Sequence, residues 1–458
     1  MKGGGRRWRQ AVSFLNRITV PFPHQPSSET SPTDRQSICR RRIAKAPSIN
    51  AVIDKRMDKS SVQMKTAAAL RFEPRDELHP GKLRVLQNLH RFKQASRTEL
   101  AKSTGLSLQS LTRIMQELLE AGLVSEVARR RGGRGQPAIE MTLRPERLMT
   151  TGLVLQHDRI DCLLGDVAGG TFRRAGRTGD FRTAAASLAA AMALMEEMLG
   201  QLPSKAAMLG IGVSQSGFFF QPGSSRLISR SDAQGWFDTD VAATLQARFG
   251  LPVFVENDGT AAAVGHMVGD IGKRYRSFFV VLLTRGVGGG AVEGGRLVRG
   301  RLGNAGELAV LLPSDPTVIR PTTESLEASL SASRNRPIDD ARIEAALAND
   351  DPTLTQWLDA AARVLDEGLR SVTALLDPEA VILAGPLPVA VRANLASRLS
   401  FEGPRAGKVA APTPEVVVDP NGDCLEIGAQ ALPVVHFFEW GRTYMPTKPQ
   451  PGRRSLRV

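Results

Sequence analysis

Two stretches flanking residue 100 repeat their apolar residues at helical spacing. Beyond residue 150 the chain instead alternates short apolar runs with helical segments and glycine-rich turns. In the first helical stretch, Pro80 to Phe92, Val85, Leu86, Leu89 and Phe92 share one face. In the second, Leu111, Ile114, Met115 and Leu118 fall at i, i+3, i+4 and i+7, which predicts one buried stripe. Ser107 stands where the cap of that helix belongs, Gly105 ends a short helix before it, and Gly122 closes it ahead of the extended arm Leu123-Val124. The pattern from Arg97 to Arg134 is that of a winged helix-turn-helix.

Its polar face offers Gln109, Ser110, Thr112, Arg113 and Gln116, side chains that hydrogen-bond base edges and phosphates in a major groove. Gln109, Ser110 and Arg113 lie toward the helix start, the end that recognition helices present to bases. Downstream, Arg129, Arg130, Arg131 and Arg134 crowd a hairpin tip with Gly132, Gly133 and Gly135. Such a loop repels itself unless it meets an anion, and an arginine there suits a narrow minor groove. The alternative is a three-helix core with a solvated polar face. Double-stranded DNA is the expected partner, contacted by Ser107, Gln109, Ser110, Thr112, Arg113, Arg131 and Arg134.

From Thr151 onward the alternation predicts an α/β body. Apolar strands are expected at Ala207–Val213, Pro252–Val255, Phe278–Leu283 and Ala380–Leu383, with helices over Asp238–Phe249, Thr260–Val264 and Asp359–Leu376. Gly294-Gly295 reads as a hairpin turn.

Charge separates these parts. The 458 residues carry a net charge of +14, but residues 1–75 hold 16 Lys/Arg against 5 Asp/Glu and residues 76–147 hold 13 against 8. The basic excess therefore sits in the tail and the reading head, and the body is near neutral. Three scattered cysteines, Cys39, Cys162 and Cys424, build neither a disulfide framework nor a thiolate cage, which suits a reducing cytoplasm. No apolar run reaches membrane-spanning length. The start, with Asn16 and Arg17 interrupting its apolar stretch, does not read as an export signal. Four regions result: a basic tail at 1–75, expected to be disordered, a DNA-binding module at 76–147, a ligand-binding body at 148–445 and a loose tail at 446–458.

Five motifs in the body stand in one order: GWFDTDVAATLQARFGLPVFVENDGTAAAVG (235–265), RGVGGGAVEGGRLVRGRLGNAGE (285–307), SLEASLS (325–331), VILAG (381–385) and IGAQAL (427–432). Together they resemble the ROK family of sugar kinases and sugar-responsive transcriptional regulators, from about Leu78 to Phe438. The resemblance implies a winged helix-turn-helix followed by a two-lobed actin-like (ribonuclease H-like) domain that holds a sugar between its lobes. It places Asp258 at the family's catalytic aspartate and Asn257, Glu307 and Glu327 among its sugar contacts.

The same resemblance argues against phosphoryl transfer, which needs a preorganised phosphate cradle beside the base. Where active members carry Asp-x-Gly-Gly-Thr, this chain reads Val154-Leu155-Gln156-His157-Asp158, and the usual Gly-Thr-Gly reads Thr284-Arg285-Gly286. Asp258 is then the base of a degenerate kinase site. The family's structural zinc loses its ligands as well: Val310 replaces the histidine, Ser325 stands at the last cysteine, and no cysteine lies between Cys162 and Cys424. No cofactor and no metal are expected, and His157 and His266 read as isolated non-ligands. Plainer readings stay open: Asn257 and Asp258 as helix caps, Gly286–Gly290 as a tight turn, Glu307 as a surface acid and Trp236 as core. The expectation is a cytoplasmic, homodimeric, sugar-responsive regulator, with an active sugar kinase carrying a DNA module as the rival.

Overall fold

The computed structural model describes residues 80–129, 138–202, 206–220, 227–228, 235–236, 239–315, 317–331, 340–403 and 405–439. The tails and the loop arginines Arg130, Arg131 and Arg134 lie outside these residues, so the expectations made for them are not addressed by the fold.

Helix α1 (Pro80–Phe92) leads through strand β1 (Gln94–Ser96) to α2 (Arg97–Thr104), which a Ser96–Glu99 capping box opens and a left-handed Gly105 closes. Helix α3 (Leu108–Glu120) starts on Ser107, whose side chain accepts the Ser110 amide, and buries the expected stripe of Leu111, Ile114, Met115 and Leu118. Strands β2 (Val124–Arg129) and β3 (Ala138–Leu143) pair antiparallel, and β1 adds to β3. This is the winged helix.

Two five-stranded sheets follow, and both have one topology. The first contains β4 (Leu148–Leu155), β5 (Arg159–Asp166), β6 (Thr171–Thr178), β7 (Ala207–Gln215) and β8 (Val253–Asn257), in the order β8-β7-β4-β5-β6. The second contains β9 (Phe278–Leu283), β10 (Val287–Glu293), β11 (Arg296–Val298), β12 (Ala380–Ala384) and β13 (Glu415–Val418), in the order β11-β10-β9-β12-β13. In each, three strands run as an antiparallel meander and two parallel strands extend the first of them. That repeat is the actin-like duplication. The central strands are buried along their whole length, as parallel strands covered on both faces must be.

Helices cover the sheets: α4 (Ala184–Leu199) and α5 (Val241–Phe249) on the first lobe, α6 (Asp258–Val268) after β8, and α7 (Thr323–Leu330), α8 (Pro352–Leu376) and α9 (Val389–Ala396) on the second. Helix α10 (Cys424–Val434) carries the chain back onto the first sheet. Helix α8 begins seven residues ahead of the sequence expectation, because Asp351 caps it and Pro352 fits its first turn. Helix α6 outruns its expected Thr260–Val264 span at both ends, and Gly265 inside it is required by packing. A Cβ on Gly265 would collide with the Cys424 carbonyl of α10, and one on Gly428 with the Ala261 carbonyl of α6. The two helices therefore touch backbone to backbone.

The winged helix does not hang free. One core joins Val85, Leu86, Leu89 and the α3 stripe to Leu148, Val167, Ala207 and Leu209 of the first lobe and to Val434, Phe437 and Phe438. Gln87 donates to the Phe437 carbonyl at 2.8 Å, and His90 stacks on Phe438 with ring centroids 4.8 Å apart.

Gly428→Ala is expected to destabilise the chain by about 2 kcal/mol or more, the order of overpacking a rigid contact. Gly286→Ala, whose Cβ meets open space, is expected to change stability by less than about 0.5 kcal/mol. Urea denaturation compares them, and equal effects would show that α6 and α10 can part at no cost.

Candidate functional site

A cleft of about 930 Å³ opens between the lobes. Strand β8 delivers Asn257 and Asp258 to its floor. Asn257 is buried; its amide donates to the Gly217 carbonyl at 2.5 Å and its Oδ1 accepts the Gly259 amide at 2.8 Å. Asp258 Oδ1 accepts the same amide at 2.8 Å. Capping and cleft-lining are thus not alternatives: Asn257 is the N-cap of α6, and both residues still line the cavity.

Of the four sugar-contact candidates, Asn257, Asp258, Glu307 and Glu327 all line this one cavity. Glu307 is half-buried, whereas Glu327, on α7, is exposed at the margin. Val310 is 69 % exposed and lies outside the lining. The segment before α7 is fastened by hydrogen bonds centred on Ser325. Its Oγ accepts from Trp357 Nε1 at 2.9 Å and donates to the Arg320 carbonyl at 2.5 Å, while Arg320 Nη2 donates to the Pro313 carbonyl at 2.8 Å. That network positions Glu327.

The loop at Gln156–Asp158 also lines the cleft, with Asp158 exposed. The Gln156 amide is engaged by the Arg159 carbonyl at 3.0 Å, and the Gly286 amide by Thr284 Oγ1 at 3.2 Å. Arg285, an exposed side chain, lies 3.7 Å from Glu324. The glycines after it serve packing: a Cβ on Gly289 would strike the Gly306 carbonyl and one on Gly290 the Gly259 carbonyl, so β10 lies against the start of α6.

Ser214 went unnoticed in the sequence. It lies near the end of the buried strand β7, lines the cleft, and its hydroxyl is buried with no hydrogen-bond partner. The signal was the switch from Ala207–Val213 to Ser-Gln-Ser-Gly. Beneath the cleft floor, Glu256 and Arg299 form an ion pair, with the carboxylate almost fully buried. Trp236 is a core residue: it is buried and donates Nε1 to the Arg182 carbonyl at 2.8 Å.

On the reading head, Ser107, Gln109, Ser110, Thr112 and Arg113 are all exposed. Ser107 and Ser110 bond each other within the cap at 2.9 Å, and Thr112 donates to the Leu108 carbonyl at 2.7 Å. Arg113 is held at 3.1 Å by Glu117, which Lys82 also contacts at 2.6 Å. Arg131 and Arg134 are outside the described residues.

His266 is not isolated. The fold places it beside Asp419 and Cys424, which were too distant in sequence for spacing to reveal. Burial lowers its pKa below the ordinary imidazole range despite the acids nearby. Cys162 and Cys424 are both free and buried, and burial pushes the Cys162 thiol up to about 11.

Comparison with known proteins finds relatives for both parts of the chain. Residues 157–317 match the ROK family and residues 77–135 the MarR family. The uncharacterized protein y4fQ of Sinorhizobium fredii is 32 % identical over 370 residues, covering 79 % of this chain and 92 % of that protein. The xylose repressor of Bacillus subtilis is 22 % identical, over 49 % of this chain and 58 % of its own length. A glucokinase of Halalkalibacterium halodurans is 34 % identical over 116 residues, 25 % of this chain and 34 % of the enzyme. Among solved structures, a ROK family transcriptional regulator homologous to the E. coli MLC protein superposes with a TM-score of 0.60 at 18 % identity, over 78 % of this chain and 97 % of that one.

Arg299→Met leaves the Glu256 carboxylate buried without its cation and is expected to lower stability by about 3 kcal/mol. Urea denaturation measures it, and a loss below about 0.5 kcal/mol would mean that solvent already screens the pair.

Proposed function

The chain belongs to the ROK family and carries a MarR-type winged helix, and on that premise we propose that it is a sugar-responsive transcriptional regulator, a repressor, whose kinase site has degenerated. The observation that carries this reading is the shared core between reading head and first lobe. Asn257 and Asp258 open α6; α6 presses on α10; α10 runs into Phe437 and Phe438, which sit in the winged-helix core. Pro433 lies inside α10 and removes a helical hydrogen bond, and a π-turn at Val435–Glu439 follows at once. An irregular joint between ligand cleft and DNA module is the place for an element with two arrangements.

In this account a polyol bonds Asn257, Asp258, Glu307 and Glu327, with Ser214 supplying a further hydroxyl to the cleft. Such carboxylates and amides accept hydrogen bonds from vicinal hydroxyls. Gln109, Ser110 and Arg113 read bases, Ser107 and Thr112 contact the backbone of the duplex, and Arg131 and Arg134 approach phosphates. Two copies place two α3 helices on two half-sites, and sugar alters their disposition by binding one arrangement better than the other. The xylose repressor's name supports the sign of the regulation. The cytoplasm, where the DNA lies, is the compartment this requires.

The kinase reading is favoured by one residue, Asp258, which stands at the expected base position. Against it stand the Gln156–Asp158 loop, whose Asp158 carboxylate would repel a nucleotide phosphate, and the engagement of the Gln156 and Gly286 amides in turns. A coupled ADP-release assay over hexoses and pentoses is expected to read background. Turnover that disappears in Asp258→Asn would establish the kinase instead.

The regulator reading is tested by fluorescence anisotropy on DNA from upstream of the gene. We expect salt-dependent, sequence-selective binding that one sugar weakens at least tenfold. Arg113→Ala is expected to reduce discrimination between target and unrelated DNA by about 1–3 kcal/mol, roughly fivefold to 150-fold. His90→Ala is expected to keep both ligands and lose the sugar effect. Binding that is insensitive to sequence, or a sugar effect intact in His90→Ala, contradicts the scheme.

A further inference from the structure

A second group of ligating side chains lies toward the end of α6 remote from the cleft. His266 belongs to the last turns of α6, Asp419 follows β13, and Cys424 opens α10. All three are at least nine-tenths buried, and one donor atom from each lies within 4.8 Å of the other two. The Nε2 of His266 has no hydrogen-bond partner. Asp419 Oδ2 is 3.9 Å away, beyond hydrogen-bond reach. A buried ring nitrogen without a partner is unfavourable, and three unlike elements have converged to surround it.

The chemistry of the donors is specific. Imidazole nitrogen, thiolate sulfur and carboxylate oxygen together suit a borderline-soft divalent ion, and do not suit magnesium or calcium. Asp419 is oriented as ligating carboxylates are, accepting the Asn421 amide at 3.1 Å and the Gly422 amide at 3.2 Å. Arg392, the buried cation nearby, is turned to main-chain carbonyls: it donates to those of Leu387 at 2.8 Å, Leu383 at 3.1 Å and Asp419. Donor atoms around a tetrahedral zinc stand about 3.3–3.8 Å apart, so small side-chain rotations close the present spread.

We propose that His266, Asp419 and Cys424 form a site for a zinc-class divalent ion that pins the end of α6 to the start of α10. None of the three residues lines the cleft, and none belongs to the segment around Ser325. On binding, the Cys424 thiol gives up its proton to solvent, and a water completes the tetrahedron. Because α6 begins at the cleft and α10 leads to the winged helix, the ion stiffens the contact through which the two communicate.

The test uses the full chain in a Cys39→Ser background, which leaves only the two buried thiols. Chelator-treated protein is titrated with Co(II). One equivalent is expected to bind, giving the near-ultraviolet thiolate-to-cobalt band and raising the melting temperature, and Zn(II) is expected to displace it. His266→Ala and Cys424→Ser, confirmed as folded by circular dichroism, are expected to lose the band, and Asp419→Asn to bind at least tenfold more weakly. X-ray absorption of the zinc-loaded protein, which needs no ligand variant, is expected to show one sulfur among nitrogen and oxygen neighbours. Absence of the band with no gain in melting temperature, a band that survives in folded Cys424→Ser, or a zinc shell with no sulfur or several would each overturn the proposal.

Discussion

Helices α6 and α10 meet with no side chain between their backbones where Gly265 faces Cys424 and Gly428 faces Ala261. Most of what the body can do depends on that contact. A backbone-to-backbone seam cannot absorb displacement by rotating side chains, so motion of one helix is passed to the other. The same seam lets α10 lie on β4 and β7, where Gly152 and Gly212 leave room for Ala429 and Gln430. The first sheet, both helices and the cleft floor consequently behave as one packed unit.

The rest of the architecture is arranged about this unit. Duplicated sheets place the cleft between two lobes, with the ends of β4, β7 and β8 on one side and those of β9 and β12 on the other. The winged helix shares a core with the first lobe. A reading head joined through Leu148, Val167, Leu209, Phe437 and Phe438 has little freedom to tumble, unlike one on a polar linker. Its orientation on DNA is then tied to the state of the body, which regulation by a distant ligand requires.

The elements that carry strong periodicity were legible in the sequence. Helix α1 and strand β9 have the boundaries expected of them, the buried stripe of α3 is the one expected, and the Gly294-Gly295 hairpin turns where it should. Boundaries failed where packing overrode propensity, as in α6, which continues through Gly265. At α8 the Asp351-Pro352 start was present in the sequence but lay ahead of the periodic run. The four candidates that line the cleft were legible because motif order was informative. Ser214, the Arg299–Glu256 pair and the His266–Asp419–Cys424 cluster were not, since each depends on which strand ends and helix starts the topology brings together. Phe437 and Phe438 carry no periodic signal, so the fusion of reading head and body was invisible before the fold.

The central claim is that a carbohydrate in the cleft and a duplex on α3 are energetically linked through the body. Isothermal titration of the effective sugar, with the protein free and then saturated with its target DNA, examines that link from the side of the small ligand. Linkage requires the sugar affinity to fall by the same factor by which sugar weakens DNA binding, and that equality is what this structure predicts. An identical sugar affinity with and without DNA would contradict it.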